Sequence, residues 1–185
     1  AQQYQWLLED HPDVFARIQA RVAEGRWVIV GGQWVESDPC MIGGEAFIRQ
    51  FSEGQAFFRE HFGVEASEVW LPDSFGYSAN LPGIAAHVGM RWMLTQKLSW
   101  NDTNTFPHHT FRWEGLDGSR LFTHFPPVDT YNAMLTPAEL HRSEVAFRDA
   151  SATDLTLTPF GYGDGGGGPT REIIERAHLQ ADLEG

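Results

Sequence analysis

The sequence predicts an α/β fold: a mainly parallel sheet, part of a barrel, carrying an inserted β-hairpin. Three observations point there. Helical and extended patterns alternate along the 185 residues. Two aromatic-rich segments flank the turn signal "LDGS". Polar residues gather directly after extended segments, at the strand ends where α/β folds place their chemistry.

Taken in order, "DHPDVFARIQARVAEG" predicts a helix with Asp10 as N-cap and Pro12 in its first turn. Phe15, Ile18 and Val22 fall at helical spacing and Gly25 closes the run. "RWVIV" reads as a buried strand leading into the loop "GGQWVESDPCMIGG". "EAFIRQFSEGQAFFREHFG" puts Phe47, Phe51, Phe58 and Phe62 on one stripe, again ended by glycine. "EVWLP" is a short strand, followed by the turn at Asp73, a short helix to Val88 and the strand "RWMLTQ". "HTFRWEGLDGSRLFTHF" is the hairpin. "TPAELHRSEVAFRDA" is helical, "DLTLTPF" a strand and "PTREIIERAHL" the final helix.

Composition narrows the function. A net charge of −12 leaves no basic face for nucleic acid. No apolar run reaches the ~20 residues that cross a bilayer. The single cysteine, Cys40, excludes an internal disulfide and a cysteine-based zinc site. Aromatic residues make up 13%, enough to supply stacking surfaces for sugar rings as well as a core. The start at Ala1 without methionine and the stop at Leu183-Glu184-Gly185 read as an excised piece of a longer polypeptide.

Four strand-end loops carry the candidate residues. They bring Trp34, Glu36 and Asp38; then Asp73; then Lys97, Trp100, Asn101 and Asp102; then Asp164 in "GYGDGGGG". On parallel strands all four would open on one face, so that carboxylates, a lysine and aromatics converge. Glycoside hydrolysis needs a pair of carboxyl groups across the scissile bond and an apolar wall for the ring. Taken singly, each residue has a plainer reading. Asp73 could be a turn or N-cap carboxylate, Lys97 a solvated cation, and Tyr131 and His124 packing residues. His108 and His109 are adjacent and their side chains diverge. No HxH or HExxH occurs, and the one HxD triplet, His11-Pro12-Asp13, supplies two ligand types at most, so the sequence holds no complete metal motif.

Six segments then occur in order: "GGQWVESD", "GEAFIRQFSEGQAFFREHFG", "WLPDSFGYSANLPGI", "TQKLSWND", "FPHHTFRWEGLDGSRLFTHFPPVDTYN" and "FGYGDGGGGPT". Together they resemble the catalytic domain of glycoside hydrolase family 38 α-mannosidases, nearest to the cytosolic and bacterial branch, over nearly the whole chain. The resemblance implies that residues 1–185 are the central part of a seven-stranded α/β barrel, without its first strand and C-terminal domains. It implies a retaining, zinc-dependent enzyme that removes terminal α-linked mannose from oligosaccharides, located in the cytoplasm. Asp73 would be the nucleophile and a zinc ligand, and Asp164 the general acid/base. Phe75, Lys97, Tyr131 and Trp34 would surround the sugar. The remaining Zn2+ ligands are expected outside this chain, which alone should be inactive and, with unpaired sheet edges, prone to self-association. The alternatives are a glycan-binding module that has lost turnover and a zinc-dependent polysaccharide deacetylase on a related barrel.

Overall fold

The computed structural model describes residues 1–181; the chain end read at Leu183-Glu184-Gly185 lies outside them. Four strands form one sheet: β1 (Glu68–Leu71), β2 (Trp92–Thr95), β3 (Thr110–Glu114) and β4 (Arg120–His124), in the order β1-β2-β4-β3. β1 and β2 run parallel, as do β2 and β4, while β3 closes the hairpin antiparallel to β4. The hairpin therefore delivers its second strand in the same direction as β1 and β2. Three C-terminal strand ends, and the loops behind them, open on one edge of the sheet. That placement is the one the alternating sequence pattern demanded.

Six helices accompany the sheet among the described residues: α1 (Gln2–Asp10), α2 (Pro12–Ala23), α3 (Gly44–Phe62), α4 (Leu81–His87), α5 (Pro137–Ala146) and α6 (Arg171–Gln180). α3 buries Phe47 and Phe51 against Val69, Leu71, Leu81, Met93 and Leu121, the main core. Its other end joins Phe57 and Phe58 to Phe15 and Ile29 under α1 and α2. A third cluster, Val128, Ala133, Leu135 and Ile173, lies beneath α5 and α6. Gly54 in α3 lets the loop after Ile29 lie directly on the helix, because a Cβ there would collide with the Gly32 carbonyl. The same loop also backs onto β1, where Gly31 lies against Trp70.

Several expectations are corrected. "RWVIV" is not a strand: it makes no ladder, although Ile29 is buried while Val28 and Val30 face outward. The alternation is that of a strand, but no neighbouring backbone among the described residues pairs with it. "DLTLTPF" likewise forms only an isolated bridge between Ala133 and Phe160. Four strands in an open sheet are thus present, and the described residues do not close a seven-stranded barrel. Asp10 ends α1 rather than capping α2, whose N-cap is His11. α1 itself carries no capping side chain, which is why "QQYQWLLED" gave no helix signal. α5 is shorter than its pattern, since the chain turns away after Ala146 to bring Asp149 to the hairpin's first strand.

Candidate active site

The turn after β1 sets Asp73 at the open edge of the sheet. Two residues beyond β2, the single 3-10 turn Lys97–Ser99 points the Lys97 ammonium back toward it. The Lys97 Nζ lies 3.0 Å from the Asp73 Oδ1, and the lysine side chain is only 7% exposed against 36% for the aspartate. A lysine buried this far keeps its charge only beside a partner. Lys97 is therefore no solvated cation, and its ammonium also stacks 3.8 Å from the Trp100 ring, 4.8 Å from Tyr131 and 5.4 Å from Phe75.

The chain leaving β4 supplies Tyr131. Its hydroxyl donates to Asp73 Oδ2 at 3.2 Å and reaches Asp164 Oδ1 at 3.4 Å. A backbone bridge makes this meeting possible: Ala133 donates to the Pro159 carbonyl, and Gly161 donates to the carbonyl of Ala133. The glycine-rich loop is thus laid beside Tyr131 and not merely near it in sequence. Gly163 must be glycine, because a Cβ there would overlap the Tyr131 ring. Asp164 follows in the left-handed region at φ 54°, a conformation asparagine and aspartate tolerate better than most residues. Burial, then the charges of Asp73 and Asp164, push the Tyr131 phenol up to about 12. It stays a neutral proton donor between two carboxylates.

Phe75 and Trp100 form an exposed pair of rings, 65% and 66% exposed, with centroids 5.2 Å apart. Large aromatics left open side by side form an exposed apolar patch beside the carboxylates, the kind of surface that marks a binding site. Trp34 is placed differently. Its indole donates to Gln2 and packs edge-on to Phe57, so its described contacts are with α1 and α3. It lines a cleft of about 390 Å³ shared with Glu36 and Trp70. Glu36 lies near enough to Asp73 for their charges to interact. Burial pushes its carboxyl up, the Asp73 N–H opposes this, and the Asp73 charge adds to it. Asp38 and Asn101 instead serve their own loops, accepting from Cys40 and Met41 and from Thr103 and Asn104. Among the described residues no hydrogen bond joins Asp102 to the cluster. The phenol of Tyr77, quoted within "WLPDSFGYS" but not singled out from the sequence, lies under the Asp73 turn. The signal was an aromatic directly after a glycine in a polar strand-end turn.

Among the described residues no three His, Cys, Asp or Glu side chains converge on a point that could hold a metal ion. Asp73 is one carboxylate with an ammonium on one oxygen and a phenol on the other, which is not a metal cage. His108, His109 and His124 lie elsewhere, around Asp149 and the hairpin.

Two carboxylates, a buried lysine and open aromatics thus meet at the strand-end edge of an α/β fold. The family model for the glycosyl hydrolases family 38 N-terminal domain matches residues 1–184, so the chain belongs to that family. It is 48% identical over 185 residues to alpha-mannosidase G of Dictyostelium discoideum, covering 100% of this chain and 17% of that protein. Alpha-mannosidase 2C1 of Homo sapiens is 48% identical over the same length, with 18% of its own length covered. The alpha-mannosidase of Saccharomyces cerevisiae is 45% identical over 177 residues, 95% of this chain and 16% of that protein. The chain thus spans less than a fifth of these relatives. The crystal structure of an alpha-mannosidase from Enterococcus faecalis V583 superposes with a TM-score of 0.74 at 16% identity, over 94% of this chain and 20% of that one, which establishes the shared fold.

Proposed function

We propose that this domain carries the carboxylates of a retaining α-mannosidase, acting on terminal α-linked mannose of oligosaccharides. The observation that supports this most is the Tyr131 hydroxyl, which reaches both Asp73 and Asp164. Two carboxyl groups bridged by one hydroxyl stand no farther apart than two hydrogen bonds end to end. That favours the short separation, about 5–5.5 Å, at which one carboxylate attacks the sugar directly, over the wider gap that admits a water.

In the first step an Asp73 oxygen bonds to C1 of mannose while the C1–oxygen bond to the leaving group breaks. Asp164 gives its proton to the departing oxygen. In the second, Asp164 takes a proton from water, the water oxygen bonds to C1, and the ester to Asp73 breaks. Both residues return to their starting state. As Oδ2 of Asp73 loses charge to the sugar, the Tyr131 proton can turn to Asp164. Lys97 stays on Oδ1 and holds the carboxylate in line. Phe75 and Trp100 supply the apolar wall, and Trp34 bounds the neighbouring cleft. We place the four strands in a family 38 barrel completed by other parts of a longer protein, in the cytoplasm. A Zn2+ at Asp73, as the family resemblance implies, would take its further ligands from those parts.

The test uses the full-length protein bearing this domain. An activated 2-fluoro-mannoside should leave one sugar on the peptide that contains Asp73, found by mass spectrometry. Labelling of another carboxylate would move the nucleophile, and mannose binding with no turnover would favour a glycan-binding module.

A further inference from the structure

We infer that the Tyr77 hydroxyl is a positioning group for the Asp73 carboxylate, locking the turn that bears it to the strand end that leads to Lys97. The inference rests on Asp73 being the nucleophile. The hydroxyl sits 3.0 Å from the Leu71 carbonyl and 3.3 Å from the Ser74 carbonyl, the two peptide groups that bracket Pro72 and Asp73. It also pairs with the Thr95 hydroxyl. Leu71 and Thr95 are the last ladder partners of β1 and β2. Beyond them the backbone groups of the turn have no strand to bond, and a buried carbonyl without a donor is costly. Tyr77 supplies that donor from its side chain.

The proton arrangement is determined by chemistry. Two carbonyls can only accept, so the phenol proton points to them, held between Leu71 and Ser74. Thr95 must then donate its own proton to the phenol oxygen. Burial raises the Tyr77 phenol well above its ordinary value, and the charges of Glu36 and Asp73 act in the same direction, so the donor persists at any working pH. Thr95 is 1% exposed and lies two residues before Lys97. One oxygen therefore fixes both ends of the 3.0 Å ion pair: the turn carrying the carboxylate and the strand end carrying the ammonium. The ring is itself wedged edge-on against Trp113 of β3, 6.1 Å between centroids, so the hydroxyl has little freedom to leave.

Tyr77→Phe in the full-length protein keeps the ring and removes the hydroxyl. Misplacing a nucleophile by a fraction of an ångström lowers the rate of attack while leaving substrate binding alone. The expected result is a fall in kcat of about tenfold on an aryl α-mannoside, with KM held within about twofold. Labelling of Asp73 by a 2-fluoro-mannoside should slow by the same factor. Thr95→Val, which removes only the link to β2, should change kcat in the same direction by about threefold. Wild-type kcat in folded Tyr77→Phe, even with a lower melting temperature, would overturn the inference by making Tyr77 a stabiliser only. A rise in KM at constant kcat would also overturn it, by making Tyr77 a binding wall. Should Tyr77→Phe not fold, Thr95→Val decides alone, and unchanged kcat there counts against. Asp73→Asn separates the two levels: turnover retained in it removes the nucleophile assignment, whereas turnover lost in it with Tyr77→Phe unaffected removes only the positioning role.

Discussion

Asp73 and Asp149 are both aspartates with a basic side chain on one oxygen, yet they are built for opposite purposes. Asp149 Oδ2 accepts the backbone N–H groups of His109 at 2.6 Å and Thr110 at 2.9 Å, and its Oδ1 meets His108 Nδ1 at 2.9 Å. Burial works against its charge, but these donors together hold its carboxyl down at about 2. Asp73 has side-chain partners, Lys97 and Tyr131, and three times the side-chain exposure, 36% against 12%. Backbone donors cannot be withdrawn without unfolding the segment that bears them. Side-chain tips can turn away within one rotamer. A carboxylate saturated by backbone amides is a rivet joining the α5 exit to β3, whereas one at an open edge that shares an oxygen with the Tyr131 hydroxyl can exchange that partner for a ligand while Lys97 stays.

The sharpest way to break this contrast is to neutralise each acid in the full-length protein. Asp73→Asn should lose about 10⁴-fold or more in kcat on an aryl α-mannoside and still fold, with its melting temperature lowered because the buried Lys97 loses its charge partner. Loss of folding with it would erase the distinction. Asp164→Ala should follow at about 10²–10⁴-fold for substrates with a poor leaving group and far less for activated ones, whose departure needs no proton. Equal losses on both substrates would assign the acid to a different carboxylate, with Glu36, whose carboxyl is pushed up by burial and by the Asp73 charge, the first to substitute.

Much of that active edge was legible in the sequence because strand, turn and motif are local. "EVWLP" before Asp73, "RWMLTQ" before Lys97 and the hairpin before Tyr131 each formed where their patterns placed them. Asp164 was legible as a strand-end residue, although its strand proved to be a single bridge to Ala133. What could not be read was pairing between distant backbones. "RWVIV" has the apolar run of a strand, but a strand exists only with a neighbour, and a run of side chains does not say which one. Tyr77 was missed for a related reason: its partners, the carbonyls of Leu71 and Ser74 and the Thr95 hydroxyl, leave no trace in side-chain patterns. Asp149 was hidden inside the helical pattern "TPAELHRSEVAFRDA", because its role comes from the His109 and Thr110 amides of the distant segment "FPHHT".

Asp149→Asn tests the other half of the contrast. It removes the charge and leaves one acceptor oxygen for three donors. Hydrogen bonds to a charged acceptor contribute about 1.5–3 kcal/mol each, less whatever the amide oxygen retains. A loss of about 2 kcal/mol in unfolding free energy, read as a lower urea midpoint at constant slope, is the expected outcome. The kcat per folded molecule should not change. A variant that keeps its urea midpoint but loses activity would make Asp149 part of the working site and collapse the comparison.

The smallest effect should come from the histidines that the rivet holds in place. His109 Nδ1 accepts the Arg148 N–H at 3.2 Å, and His124 Nε2 accepts the Leu157 N–H at 3.1 Å while its Nδ1 faces Thr110 Oγ1 at 3.0 Å. A proton added at either accepting nitrogen points at an N–H and breaks the bond. For His109, burial lowers the pKa first, and Arg148 and His108 add to this against the opposing charges of Asp149 and Asp129. For His124, burial and then His109 lower it, against the opposing charge of Asp149. Both therefore titrate below their unfolded value of about 6.5. The unfolded chain then binds more protons than the folded one just below that pH, so stability rises with pH through this window. The contribution is whole above about 6.5 and is lost as the pH falls below it. Asp149, depressed to about 2, keeps its own contribution until the pH drops under the ordinary carboxylate value of about 3.9, so the two losses fall in separate windows. Melting temperature should decline by a few degrees between pH 7.5 and 5.5. Replacing His109 and His124 by glutamine should flatten that decline without altering the fall at lower pH. An unchanged slope in the double variant would mean that other groups take up the protons, and that Asp149 anchors the hairpin without any help from the neutral rings beside it.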